Sequence, residues 1–370
     1  MEVHAALHYV TAAEATRALS GAPPFGPARL HTLAVGGTGV GDAEDWGGRE
    51  GCARLAAALR AHHATCARGR AEGAPSVAQL RLHCVPLDDG ACFAEIASAC
   101  AHIRLADLLL SEFDVTAANA AHLFRLICAP PLKPPGVAAD AIGGGAPDDA
   151  SAAAGEGAAA RPWRGVSRLW LLQGAISPAA APYLCASLRA SSTLTELRLV
   201  LLPLWSGDGL GPALFRALIG HATLVLLKVK SCEVPPPEPQ DGAGDSAGES
   251  ARIHAERRAS AGASIAELLL APACRLSRLV VTRCSLGDAG ASPLFASLRV
   301  NGSLRNLDAS HNGLSASFAR DVAVAAVAAN TGLRKVAMER SYVESIRCPD
   351  GDAFAAAVAA VQADMAARVG

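Results

Sequence analysis

The chain has 370 residues, 51% of them apolar but only 4% aromatic, and 33 Lys+Arg against 34 Asp+Glu leave a formal net charge of −1. That length allows two ordinary domains or one long repeat array, and the balanced charge excludes a global field drawing the protein to nucleic acid or anionic lipid. Eleven cysteines, odd in number and without a CxxC pair, point to reduced thiols rather than a disulfide framework.

Residues 5–20 read as a helix, with Ala6, Val10, Ala13 and the Arg17-Ala18-Leu19 turn on one face, ended by Pro23, Pro24 and Pro27. Residues 1–29 are therefore expected to be an N-terminal capping helix over the open end of whatever follows. Glu2 and Glu14, with no basic start before an apolar run, argue against a signal peptide. No stretch approaches the ~18 uninterrupted apolar residues of a membrane span, so the expected setting is the cytosol or nucleus, with no membrane partner.

From Leu30 onward one unit recurs, a short strand with alternate apolar residues followed by a turn and an apolar helix. Units start at Leu30, Val77, Leu105, Val166, Leu194, Leu224, Leu276, Leu304 and Leu333. Where nothing intervenes the starts fall 28 to 30 residues apart, as from Val166 to Leu194 to Leu224. Two stretches break the period. Residues 129–164 and 235–262 are Pro-, Gly-, Ala- and acid-rich with few large apolar groups, and are expected to be disordered insertions. The last helix, Ala353 to Met365, closes the chain.

The period is clearest in LSRLVVTRCSL, LRNLDASHNGL and LRKVAMERSYV, which begin at Leu276, Leu304 and Leu333 and are apolar at positions 1, 4, 6 and 11. The pattern resembles the leucine-rich repeat, in the longer form known from ribonuclease inhibitors. That resemblance implies an α/β fold over residues 30–370, a curved solenoid (horseshoe) of about nine strand–helix repeats with a parallel sheet on its concave face. The family keeps Asn or Cys at position 9. Here only Cys232, Cys284 and Asn312 do so, while Thr38, Val85, Phe113, Gly174, Leu202 and Ser341 depart from it.

Few residues suggest chemistry. Gly37-Thr38-Gly39-Val40-Gly41 follows a strand, but it lacks the helix opening of a dinucleotide fingerprint and the Gly-Lys-Ser/Thr of a P-loop. His62, His63 and Cys66 lack the second ligand pair of a zinc site. Cys232 and Cys284 read as small buried ladder residues. No Ser-His-Asp or Cys-His arrangement suggests itself, and His83 and His311 fall six repeats apart. No enzyme activity, cofactor or metal is expected.

The concave face carries more. Period-two alternation turns positions 5 and 7 outward: Leu109, Trp170, Arg198 and Lys228 at the first, Leu172, Val200 and Lys230 at the second. Trp170, Leu172, Val200 and Leu201, with Leu109 beside them, form an apolar patch that Arg198, Lys228, Lys230, Arg278 and Arg283 border. An aromatic anchor among Arg side chains is the composition of a binding hot spot. The expected function is a non-enzymatic scaffold, monomeric, holding a protein partner on this patch. The alternative implied by the same resemblance is a GTPase-activating protein like the Ran activator, although that family has an acidic tail and this chain ends Ala-Ala-Arg-Val-Gly.

Overall fold

The computed structural model describes residues 5–19, 30–35, 48–68, 77, 79–83, 90–103, 105–128, 165–205, 209–233, 246–340 and 350–369. The described strands form one parallel sheet in chain order: β1 (Ala5–Val10), β2 (Leu30–Val35), β3 (Gln79–His83), β4 (Asp107–Val115), β5 (Arg168–Ile176), β6 (Glu196–Val200), β7 (Leu226–Lys230), β8 (Arg278–Thr282), β9 (Asn306–Asp308) and β10 (Lys335–Ala337). Helices alternate with them: α1 (Ala12–Leu19), α2 (Gly48–Arg68), α3 (Gly90–His102), α4 (Ala117–Ile127), α5 (Ala181–Ala190), α6 (Leu210–Leu218), α7 (Ser246–Leu270) and α8 (Gly287–Leu298). Between β9 and β10 the helix is split into α9 (Ala316–Phe318), a π-helical turn (Ala319–Ala323) and α10 (Val324–Ala329), and α11 (Gly351–Val369) ends the chain. This is a strand–helix repeat architecture.

Leucine rows hold the register. Leu33, Leu80, Leu108, Leu169, Leu197, Leu227, Leu279, Leu307 and Val336 pair neighbour to neighbour across the sheet, each at most 3% exposed. The row advances by 28 residues from Leu80 to Leu108, Leu169 to Leu197 and Leu279 to Leu307. A second row, Leu82, Leu110, Leu171, Leu199, Val229 and Val281, is fully buried. Facing them are Leu184, Leu214, Ile265 and Leu294 from the helices. Each such side chain contributes roughly 1.5–3 kcal/mol by burial, and the few aromatics in the chain join them, with Phe93, Phe215 and Phe295 fully buried.

From β4 to β9 the backbone makes one recurring move, within the strand in β4 and β5 and just past its end in the other four. Glu112, Gln173, Leu201, Ser231, Arg283 and His311 all have φ between 50° and 59°, and none is glycine. Their N–H groups extend the ladder, as Leu201 to the Lys230 carbonyl (2.9 Å) and Ser231 to that of Thr282 (2.9 Å). The turn aims the following side chain inward. Cys232 and Cys284 donate their thiols to the Leu199 and Val229 carbonyls, while Asn312 donates to Val281 (2.7 Å) and accepts from the Cys284 N–H (3.0 Å).

Another buried polar column precedes β6, β7, β9 and β10. Ser191, His221, Asn301 and Asn330 each accept the N–H of the leucine three residues on: Leu194, Leu224, Leu304 and Leu333. Burial without those bonds would leave orphaned backbone groups.

Two expectations are corrected. Residues 5–20 are not one helix: Ala5–Val10 is a strand on the sheet edge, paired with β2, and the helix begins after Thr11. Thr11 and Glu14 form a capping box, the Thr11 N–H donating to Glu14 (2.9 Å) and the Glu14 N–H to the Thr11 hydroxyl (3.2 Å). The terminal cap is thus a strand and a helix. Disorder across 235–262 also fails from Ser246 on, where the 25-residue α7 runs through to Leu270. Its first half stands on helix-forming Ala, Glu and Arg with an i,i+4 Arg252–Glu256 pair, and its second half buries Ala261, Ile265, Leu268 and Leu269. The insertion at 129–164 and the Gly37–Gly41 loop lie outside the described residues.

At the far end α11 packs on α9, α10 and β10, burying Phe354, Val361 and Met365. Arg340 lies 3.9 Å over the Phe354 ring and pairs with Asp350 (2.7 Å), whose carboxyl it holds below the usual range. No described helix is long and apolar enough to cross a membrane.

Candidate interaction surface on the open face of the sheet

Residues between the buried leucines stand on the opposite side of the sheet, half-buried rather than buried in β3, β6 and β7. One row here is a chain of hydrogen bonds. Thr32 donates to Gln79 (3.2 Å), Gln79 to Asp107 (2.9 Å), and Arg168 reaches Asp107 with two nitrogens. The next member, Glu196, accepts from the Trp170 indole Nε1 (2.9 Å) and from Arg198.

Trp170 sits where alternation places it, beside Leu109 on one strand and Arg198 on the other. It is not the freely exposed aromatic that its position suggests. The ring is half-buried, its N–H is bonded, and the Arg198 guanidinium lies 4.2 Å from its centroid. A ring held on both sides in this way is restrained in rotamer. Leu172 pairs with Val200 in register, and Leu201, in the left-handed conformation, is 52% exposed. The apolar patch is contiguous.

Lys228 and Lys230 continue the same two rows from Arg198 and Val200. They open onto a cleft of about 780 Å³ over β7 to β10, lined by Lys228, Lys230, Arg278, Arg283 and Lys335, with Asp308 and Glu339 as its acids. Three of the four lysines in the chain meet here. Among the described residues none of these five cations has a carboxylate within 4.0 Å. Partial burial lowers the Lys228 pKa, and Arg198, Lys230 and Arg278 push it the same way.

The structure also assembles a group that the sequence does not suggest. The Ser111 hydroxyl lies 2.7 Å from His83 Nδ1, and Glu112 lies 3.7 Å from His83 Nε2. A nucleophile needs its base oriented by a third group within hydrogen-bond reach, and 3.7 Å exceeds that. Burial lifts the Cys100 thiol to about 12 and the Cys232 thiol to about 11, away from the thiolate that a nucleophile needs. His62 lies half-buried with its pKa lowered by desolvation, and among the described residues no His, Cys, Asp and Glu cluster could hold a metal.

Sequence reasoning placed Leu109, Trp170, Leu172, Arg198, Val200, Leu201, Lys228 and Lys230 side by side, and so they are. Arg283, one strand on, lines the cleft instead of touching the patch. Asp107 and Glu196 were missed because their roles depend on residues of neighbouring strands: Asp107 is held by Gln79 and Arg168, and Glu196 receives the Trp170 indole. Comparison with protein-family models and with curated proteins finds no match.

Proposed function

We propose that this protein is a non-enzymatic, monomeric scaffold that holds a partner protein on the open face of its sheet. The observation that carries the reading is the braced indole. Trp170 is fixed by Glu196 and Arg198 and flanked by Leu172, Val200 and Leu201, an aromatic anchor within a polar rim. Strand–helix units of 28 to 30 residues support kinship with the ribonuclease-inhibitor-like leucine-rich repeat, in which the sheet bends and the open face becomes concave. A concave sheet would wrap a convex partner. The cytosol or nucleus suits a chain in which Cys52, Cys100, Cys128, Cys185, Cys232, Cys274 and Cys284 are free thiols.

The test is a pull-down followed by binding kinetics. Trp170→Ala should weaken binding of the recovered partner by about 2 kcal/mol or more, roughly 30-fold, while changing stability far less. Unchanged affinity would remove this patch from the interface. Fluorophosphonate labelling lost on Ser111→Ala would instead reveal an enzyme.

A further inference from the structure

Charge is distributed unevenly over the open face. Across β3 to β6 its acids are engaged: Asp107 by Gln79 and Arg168, Glu196 by Trp170 and Arg198. Across β7 to β10 the cations are not. Five of them against two acids give the cleft a formal +3, in a chain whose net charge is −1. Such a concentration with low-dielectric walls raises the local density of anions.

We propose that this cleft holds an extended acidic segment of the partner protein, with an apolar residue beside the acidic run seated on Trp170, Leu172 and Val200. This deepens the scaffold reading and rests on it. The cations are spread from β7 to β10, about 14 Å at the usual strand spacing, which a single phosphate does not span and a short extended peptide does. The basic and apolar surfaces are continuous, because Trp170, Arg198 and Lys228 are successive members of one row and Leu172, Val200 and Lys230 of the next. A peptide rather than a nucleic acid fits the apolar end: its walls are aliphatic, and Arg198 occupies one face of the ring on which a base would stack.

The experiment uses the full chain and a fluorescein-labelled peptide of Glu and Asp carrying one Leu-Phe pair. Binding should weaken as salt rises. Lys228→Glu with Lys230→Glu should weaken it by about tenfold or more, and the milder Arg283→Gln with Lys335→Gln by a few-fold, both with wild-type melting curves. The Gln version of the peptide should not bind. Equal affinity in the charge-reversed protein, or displacement of the peptide by single-stranded DNA of the same charge, would overturn the inference. The two readings fail separately. A pulled-down partner that is lost with Trp170→Ala but kept with Lys228→Glu and Lys230→Glu would leave the scaffold standing without its acidic ligand.

Discussion

Burial decides how His221 behaves in acid. Its Nδ1 accepts the Leu224 N–H at 3.1 Å, which requires an unprotonated nitrogen, and desolvation lowers its pKa, opposed by the Leu188 backbone. An unfolded histidine takes up a proton near pH ~6.5, while the folded one resists to lower pH. Between those values the unfolded state holds the extra proton, so stability falls as pH falls below about 6.5. Asn301 and Asn330 occupy the same place in later repeats and do not titrate. His221→Asn should therefore keep the fold and flatten the loss of melting temperature between pH ~7.5 and ~5.5. His62 and His122 are shifted in the same direction, so some slope should remain. Identical slopes in both proteins would show that His221 is not the sensor. The column was invisible as text because Ser, His and Asn look unrelated until one asks which buried N–H each satisfies.

Among the helices, the contact between α7 and α8 is the most exacting. A Cβ on Gly262 would lie 1.7 Å from the Gly290 carbonyl oxygen, and one on Gly290 would lie 2.7 Å from the Arg258 carbonyl. Alanine is the better helix former by about 1 kcal/mol, but overlap of that size forces the helices apart, typically at 1–3 kcal/mol or more. Gly262→Ala should lower the urea midpoint, and a rise would mean the helices are not in backbone contact. How far the elements could be read in advance follows from what each one buries. Strands announced themselves through leucines at fixed spacing, since each must fill the same place in the core. The first half of α7 did not, because an exposed helix of Ala, Glu and Arg has no apolar stripe and resembles a linker. Ala5–Val10 was misread because alanines serve either period. The Thr11-x-x-Glu14 box was the signal that a helix starts there and not earlier.

In the assembled molecule each unit meets chiefly the units on either side, so damage should stay local. Leu307 is 1% exposed, paired with Leu279 and Val336. Leu307→Ala should cost roughly 2–5 kcal/mol. Hydrogen exchange should speed up over β8 to β10 while β3 to β5 keep their protection. Uniform loss from end to end would contradict a linear array. The open face was only partly foreseeable on these terms: its rows follow from alternation, but the bracing of Trp170 depends on Glu196 one repeat away. The left-handed residues of β4 to β9 carry one more consequence. At Glu112, Gln173, Leu201, Ser231, Arg283 or His311 a residue other than glycine bears a backbone cost of about 1–2 kcal/mol, less for Asn or Asp, and proline is barred because its φ is fixed at about −65° and it lacks the N–H. The six differ in charge, size and polarity, yet the ladder beneath them is the same. Exchanges there among residues that tolerate the left-handed region, proline and β-branched residues apart, should cost little in folding, so the side chains along this line can change while the fold stays as it is.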